Sequence, residues 1–285
     1  MLHDPPALRP APPRLVLDDP AAAQAAAELL GGGAVVAHGF ANLYAITARG
    51  DGPTVRRVNA LKGRPVGQVS SVTCATEDVL RAFDLAALAA PLTAGLVEEV
   101  VAALTDLGPF GFRAPAGRHV PDHLTSVRDG VRTTQVIVPG RACPSNAFLR
   151  LSTAAAGDAL LSITSANLSH HLTGVAEAPA HWRVAGLRAE LVGAEDLVVL
   201  EHADERAARA RFPRHRPTSV SIVALDRVRL VGGRVCLWLE RHGSLPVDDV
   251  RAVLDGFGLR VVLAPAARVR LEPRRYAIDD LDAPT

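Results

Sequence analysis

Leu160-Leu161-Ser162-Ile163-Thr164-Ser165-Ala166-Asn167-Leu168-Ser169 sets an apolar run directly against small hydroxyl and amide side chains. Aliphatic and β-branched residues predict a strand over 160–164. The polar run then falls at the strand's C-terminal edge. In an open sheet of parallel strands that is where ligands bind, and Ser165 and Asn167 offer hydrogen bonds to phosphate or carboxylate oxygens. A strand-to-helix turn capped by Ser or Asn accounts for the same residues equally well.

Outward from this run, strands and helices alternate. Asp19 caps a helix that begins at Pro20 and stops at Gly31-Gly32-Gly33. A short strand follows over 34–37, and a helix over 53–61. A strand is predicted over 66–73, then a helix capped by Thr76 and running to Phe83. Leu96, Val100 and Leu104 recur at helical spacing and predict an amphipathic helix over 93–105. Strands are predicted at 110–113 and 134–138, with a helix at 145–156. Further strands are read at 197–200 and 219–224. Gly232-Gly233 between apolar runs marks a hairpin joining 228–231 to 234–239. A helix over 246–254 and a strand over 259–263 complete the pattern. Alternation of this kind predicts an α/β fold with a mixed, largely parallel sheet. The expected organisation is an irregular Pro-rich tail (1–15), a single α/β domain (16–265) and a C-terminal extension (266–285).

With 285 residues, 48% of them hydrophobic, the chain can bury one large core. A formal charge of +1 gives no net drive toward nucleic acid or anionic membrane. Cys74, Cys143 and Cys236 are too few and too scattered for a disulfide framework. No apolar run is long enough to span a bilayer, and residues 1–14 lack the apolar core of a signal peptide. Cytoplasm is the expected location, with no membrane partner.

Among 31 Lys and Arg residues, only Lys62 is lysine. Arginine replaces lysine freely on a solvated surface, but not where a compact ammonium must touch an anion. A single lysine that escaped codon bias is the competing explanation. Lys62 opens Lys62-Gly63-Arg64-Pro65, a tight loop with two cations at alternate positions, suited to a polyphosphate. Arg241-His242-Gly243-Ser244-Leu245-Pro246 places another cation between a strand and a helix; a surface ion pair would explain it as well. No His, Cys or Asp set has metal-ligand spacing, so no metal site is predicted. No GxxxxGK phosphate loop, GxGxxG or GxSxG elbow is present.

Taken in order, these pieces resemble the YrdC-like family of threonylcarbamoyl-adenylate synthases over about 32–254. The family's K-x-R-P is found at Lys62–Pro65, and its R-x-P strand at Arg113–Pro115. Its S-A-N-x-S begins at Ser165, its S-T-V strand aligns with Thr218–Val220, and its R-P-G-A-I turn begins at Arg241. The resemblance implies a twisted open α/β sheet. It also implies a reaction joining L-threonine, bicarbonate and ATP into threonylcarbamoyl-AMP and pyrophosphate. That product would serve tRNA modification, which makes RNA or tRNA-modification proteins further expected partners. Lys62 and Arg64 would be the catalytic cations. Lys62, Arg64, Gln68, Ser165, Thr173 and Arg241 would face the nucleotide, with Mg²⁺ on the triphosphate. Asn42, Thr73, Arg113 and Thr218 would surround the amino acid.

Departures from the family pattern cluster on the amino-acid side. The family's P-T-(D or E)-T-V-Y-G-L run is replaced by Gly39-Phe40-Ala41-Asn42-Leu43-Tyr44-Ala45-Ile46, and only Tyr44 matches outright. Asn42 stands where a threonine would meet the amino acid, and Thr73 where a histidine is expected. His170 replaces a glycine. Two alternatives therefore stay open: the same adenylate chemistry on a different amine, or a non-catalytic nucleotide- or RNA-binding module.

Overall fold

Asp19, Asp51 and Thr93 each start a helix by accepting a backbone N–H from its first turn, at 2.9, 2.9 and 3.2 Å. These helices are α1 (Pro20–Gly31), α2 (Gly52–Leu61) and α3 (Ala94–Asp106). Four more follow: α4 (Ser145–Ala155), α5 (Val184–Glu190), α6 (Glu205–Ala210) and α7 (Val247–Gly256). The computed structural model describes residues 14–169, 179–191, 194 and 196–276. His170, His171 and Thr173 lie outside them.

Among the described residues, twelve strands form one sheet. They are β1 (Leu15–Val16), β2 (Val35–Phe40), β3 (Leu43–Arg49), β4 (Ser71–Thr73), β5 (Phe110–Pro115) and β6 (Ser126–Arg128). The others are β7 (Val131–Val138), β8 (Leu161–Ser165), β9 (Leu197–Glu201), β10 (Ile222–Val231), β11 (Arg234–Arg241) and β12 (Arg260–Leu263). Their order is β1-β9-β2-β3-β8-β4-β7-β5-β10-β11-β12, with β6 on β7. Parallel ladders join β1 to β9, β9 to β2, β4 to β7, β5 to β10 and β11 to β12. The expected α/β class and mixed open sheet are present.

Three local expectations are corrected. β8 runs antiparallel to both neighbours, β3 and β4, so the Ser165 turn is not the edge of a parallel pair. The strand expected over 66–73 forms only at its end. Asn59 on α2 donates to the carbonyls of Val66 (3.3 Å) and Gln68 (2.8 Å), and this holds 66–70 out of the ladder. The segment after Thr76 is a 3-10 helix rather than an α-helix.

Alternation along the strands sorts the core. Phe110, Phe112 and Ala114 of β5, with Val136 and Val138 of β7, pack under Val100 and Leu104 of α3 and Val250 and Leu254 of α7. On β3, Tyr44, Ile46 and Ala48 pack against Val58 of α2 and Leu187 of α5, while Leu43 and Ala45 turn to the side covered by α1 and α4. The intervening positions of the central strands remain for a cavity.

Two buried histidines brace this framework, and a third, His202, is buried beside Tyr44. His38 on β2 donates to the Gly39 carbonyl (3.1 Å) and meets the Thr47 hydroxyl (2.8 Å). His215 donates to the Leu107 carbonyl (2.9 Å) and meets the Ser244 hydroxyl (3.0 Å). Burial pushes His38 down from 6.5 to about 3, and His202 and His215 to about 4. The unfolded chain therefore takes up protons that the folded chain refuses. The neutral rings carry no penalty above pH 6.5. Below it, each costs about 1.4 kcal/mol per pH unit until its folded value is reached. Thermal melts should show stability falling from pH 6.5 toward pH 4, with His215→Gln flattening the slope. A melting temperature constant across that window would contradict neutral burial.

Candidate functional site

The K-G-R-P loop and the S-A-N turn are fastened to each other. Gly63 takes φ +64, the left-handed conformation that ends a helix, and turns the chain out of α2. The Lys62 side chain is fully buried, and its ammonium donates to the carbonyls of Ser165 and of Asn167 (2.5 Å to the latter). In return the Lys62 carbonyl accepts the Ser169 N–H at 2.9 Å. Arg64 adds a hydrogen bond from Nη1 to the Thr164 hydroxyl at 2.7 Å.

Beside this junction lies a cavity of about 350 Å³ over β3, β8, β4, β7 and β5, five adjacent strands of the sheet. Its cations are Arg64, Arg113 and Arg241; no carboxylate, imidazole or ammonium of the described residues lines it. Such a wall attracts anions, although the chain as a whole is nearly neutral. Phe40, Leu43, Ala45, Ile163 and Val220 make an apolar side, and Ser70, Ser71, Ser126, Thr133 and Gln135 a polar one.

The polar side is ordered by a chain of hydrogen bonds across the sheet. Gln135 Nε2 donates to the Ser71 hydroxyl (2.7 Å) and its Oε1 accepts Arg113 Nη2 (2.7 Å). Arg113 Nη1 reaches the Ser126 hydroxyl (3.3 Å), and Arg113 Nε the Glu240 carboxylate (2.8 Å). Burial alone would raise the Glu240 carboxyl, but the hydrogen bonds and charges of Arg113 and Arg128 outweigh it and hold it below the usual range.

Arg241 ends β11, just before a turn that only glycine can make. A Cβ on Gly243 would stand 2.1 Å from the Ser219 carbonyl oxygen. That close approach lets Gly243 N–H reach the Ser221 hydroxyl (3.1 Å). Among the described residues, the Arg241 guanidinium makes no hydrogen bond or ion pair, and it faces the cavity. Gln68 Oε1 on the same wall is buried and also lacks a partner there.

Of the residues named from the sequence, Arg64, Gln68, Arg113, Ser165 and Arg241 come together on this wall. Lys62 does not; its ammonium is spent on backbone carbonyls behind the wall. Asn42, Thr73 and Thr218 are also buried off the wall. Thr73 donates to the Ile137 carbonyl at 2.7 Å, Asn42 Nδ2 to the Arg216 carbonyl, and Thr218 weakly to the Ser219 carbonyl at 3.3 Å. The sequence reading passed over Ser71, Thr133 and Gln135. The sequence carries little signal for them, because Arg132 and Thr134 interleave with Thr133 and Gln135 and no alternation marks the face. Among the described residues, no group of three or more His, Cys, Asp or Glu is placed to hold a metal ion. No described helix is long and apolar enough to cross a membrane.

No family model and no curated protein matches this sequence. Solved structures do match in fold. Sua5 of P. abyssi, in complex with L-threonine, superposes with a TM-score of 0.60 at 18% identity, over 86% of this chain and 60% of that one. A hypothetical protein of Streptococcus mutans gives 0.58 at 16% identity, over 85% and 94%. E. coli YciO gives 0.50 at 15%, over 74% and 88%. This chain thus spans about 60% of the length of the Sua5 chain. The fold is YrdC-like, as the ordered motifs imply, and at these identities the likeness is one of fold.

The geometry of Lys62 predicts a stability effect. Lys62→Met keeps the stem and removes the donors, leaving buried carbonyls short of a partner at a cost of about 1–3 kcal/mol. Lys62→Arg overfills the same space and is expected to destabilise as well. Denaturant unfolding of both variants checks this; a Lys62→Met midpoint equal to the parent's would contradict the fastening role.

Proposed function

We propose that this chain is a carbamoyl-adenylate synthase, condensing an amino acid, bicarbonate and ATP into a carbamoyl-AMP and pyrophosphate, with L-threonine as the first candidate amine. The observation that carries this reading is the cavity of three guanidiniums, with no carboxylate of the described residues lining it, set over the centre of a YrdC-like sheet. The complex of P. abyssi Sua5 with L-threonine adds support from a protein of the same fold.

The steps balance without a protein nucleophile. The amine nitrogen attacks the carbon of CO₂ derived from bicarbonate and loses a proton to solvent, giving a carbamate. A carbamate oxygen then attacks the α-phosphorus of ATP, and the bond to the β-phosphate breaks, releasing pyrophosphate. Arg64 and Arg241 would neutralise the phosphates, and Arg113 would take the amino acid's carboxylate. Mg²⁺ would arrive with the substrate ATP, bound to its phosphates. Lys62 serves the site by fixing the Ser165 turn. The product would feed a tRNA-modifying step, so the partners in this reading belong to that process.

A second reading keeps the adenylation and changes the amine. It rests on Asn42, Thr73 and Thr218, whose side-chain donors go to backbone carbonyls away from the cavity.

Pyrophosphate release from ATP and bicarbonate, scanned over amino acids, tests both readings. Release with threonine alone supports the first, and release with another amine the second. If no amine stimulates release, both enzyme readings fail. Arg241→Ala should raise the KM for ATP roughly tenfold to a hundredfold, the loss of one charge-assisted contact.

A further inference from the structure

We infer that Glu240 is a positioning residue of the site, aiming the Arg113 guanidinium so that its two terminal nitrogens receive the carboxylate of the amine substrate. The inference rests on the carbamoyl-adenylate reading, and concerns a side chain that is not on the cavity wall.

Glu240 stands behind Arg113, with its side chain only 11% exposed. Its Oε2 accepts Arg113 Nε at 2.8 Å. Its Oε1 accepts Arg128 Nη1 and, at 3.3 Å, Arg227 Nη2. One carboxylate thus gathers arginines from β5, β6 and β10 while riding on β11. Asp226, next to Arg227, is buried as well, and its Oδ1 has no partner among the described residues. Glu240 is the carboxylate that all three guanidiniums share, while Arg227 also pairs with Asp129 at 3.7 Å.

Counting donors on Arg113 shows what this arrangement accomplishes. A guanidinium has five N–H groups. Nε–H is taken by Glu240, one Nη1–H by Ser126 and one Nη2–H by Gln135. One N–H remains on each terminal nitrogen, so the group keeps two donors for a carboxylate. The Nε bond to Glu240 fixes the rotation of the planar group, and Ser126 and Gln135 each hold one terminal nitrogen. Arg241 differs: among the described residues it has no such brace, and its charge is suited to an extended polyphosphate.

Without Glu240, Arg113, Arg128 and Arg227 would repel one another at the edge of the cavity, and Arg113 would lose its aim. The effect should fall on the carboxylate-bearing amine and spare the nucleotide held by Arg64 and Arg241. The full chain with Glu240→Ala, Glu240→Gln and Glu240→Asp would be assayed for pyrophosphate release, for ATP affinity by calorimetry, and for melting temperature. The amine would be supplied as the amino acid that the parent uses, and as its carboxamide. Glu240→Ala should raise the amino-acid KM by about tenfold or more and leave ATP affinity within about twofold, with Glu240→Asp restoring part of the loss. The penalty should vanish for the carboxamide, which a general loss of structure would not achieve. An unchanged amino-acid KM in a folded Glu240→Ala or Glu240→Gln chain overturns the inference, as does an equal penalty for the carboxamide. A parent chain silent with every amine removes the underlying reading, and this inference with it.

Discussion

The ammonium of Lys62 sits without solvent contact against the carbonyls of Ser165 and Asn167. Removing a charge from water costs several kcal/mol unless hydrogen bonds replace the hydration, and here backbone oxygens do so. The contact joins the exit of α2 to the exit of β8, which lie far apart in sequence and meet at the cavity. Arg64 and Gln68 follow Lys62 along the chain, and Thr164 and Ser165 precede Asn167. Loosening this one contact would separate the two loops that present those groups. Arginine is a poor replacement there, because a wholly buried site built for a compact ammonium would have to admit a larger planar fork.

A second constraint is the face-by-face division of the sheet. Strands β5, β7 and β8 each send alternate side chains to opposite sides. One set of β5 and β7 side chains meets α3 and α7, and the other meets the cavity. Since i and i+2 share a face, a catalytic surface can be written into a strand without weakening the core behind it. Arg113 between Phe112 and Ala114 is the plainest case. The two phenylalanines of β5 stabilise the fold, and the arginine between the core positions reaches the site.

Legibility followed the same physics. Capped, periodic helices such as α1 and α3 were plain, because Asp19, Pro20 and Thr93 act locally. The Gly232-Gly233 hairpin was equally plain, since both glycines take the positive φ that its turn requires. β3 was not: Leu43–Arg49 is buried on both faces, so it shows no alternation, and it is joined to β2 by Ala41-Asn42 without a glycine. The strand over 66–73 misled because Asn59, a residue from another element, captured its carbonyls. At the site, ordered motifs brought five side chains to one wall. They did not reveal that Lys62, Asn42, Thr73 and Thr218 turn inward, because burial depends on packing between distant segments. Gln135 and Glu240 belong to no short motif and became visible only through contacts across strands.

One lysine, wholly buried, also makes this chain unusual as a chemical object. A protease specific for lysine has one internal bond to cut, between Lys62 and Gly63, and the native fold withholds the side chain it must grasp. Cleavage therefore waits for the α2 exit to open, and each cut reports a single opening event. With protease in modest amount, the cutting rate reads the population of the open form; with protease in excess, it reads the rate of opening itself. The same lysine that fastens two loops thus becomes a built-in clock for their separation.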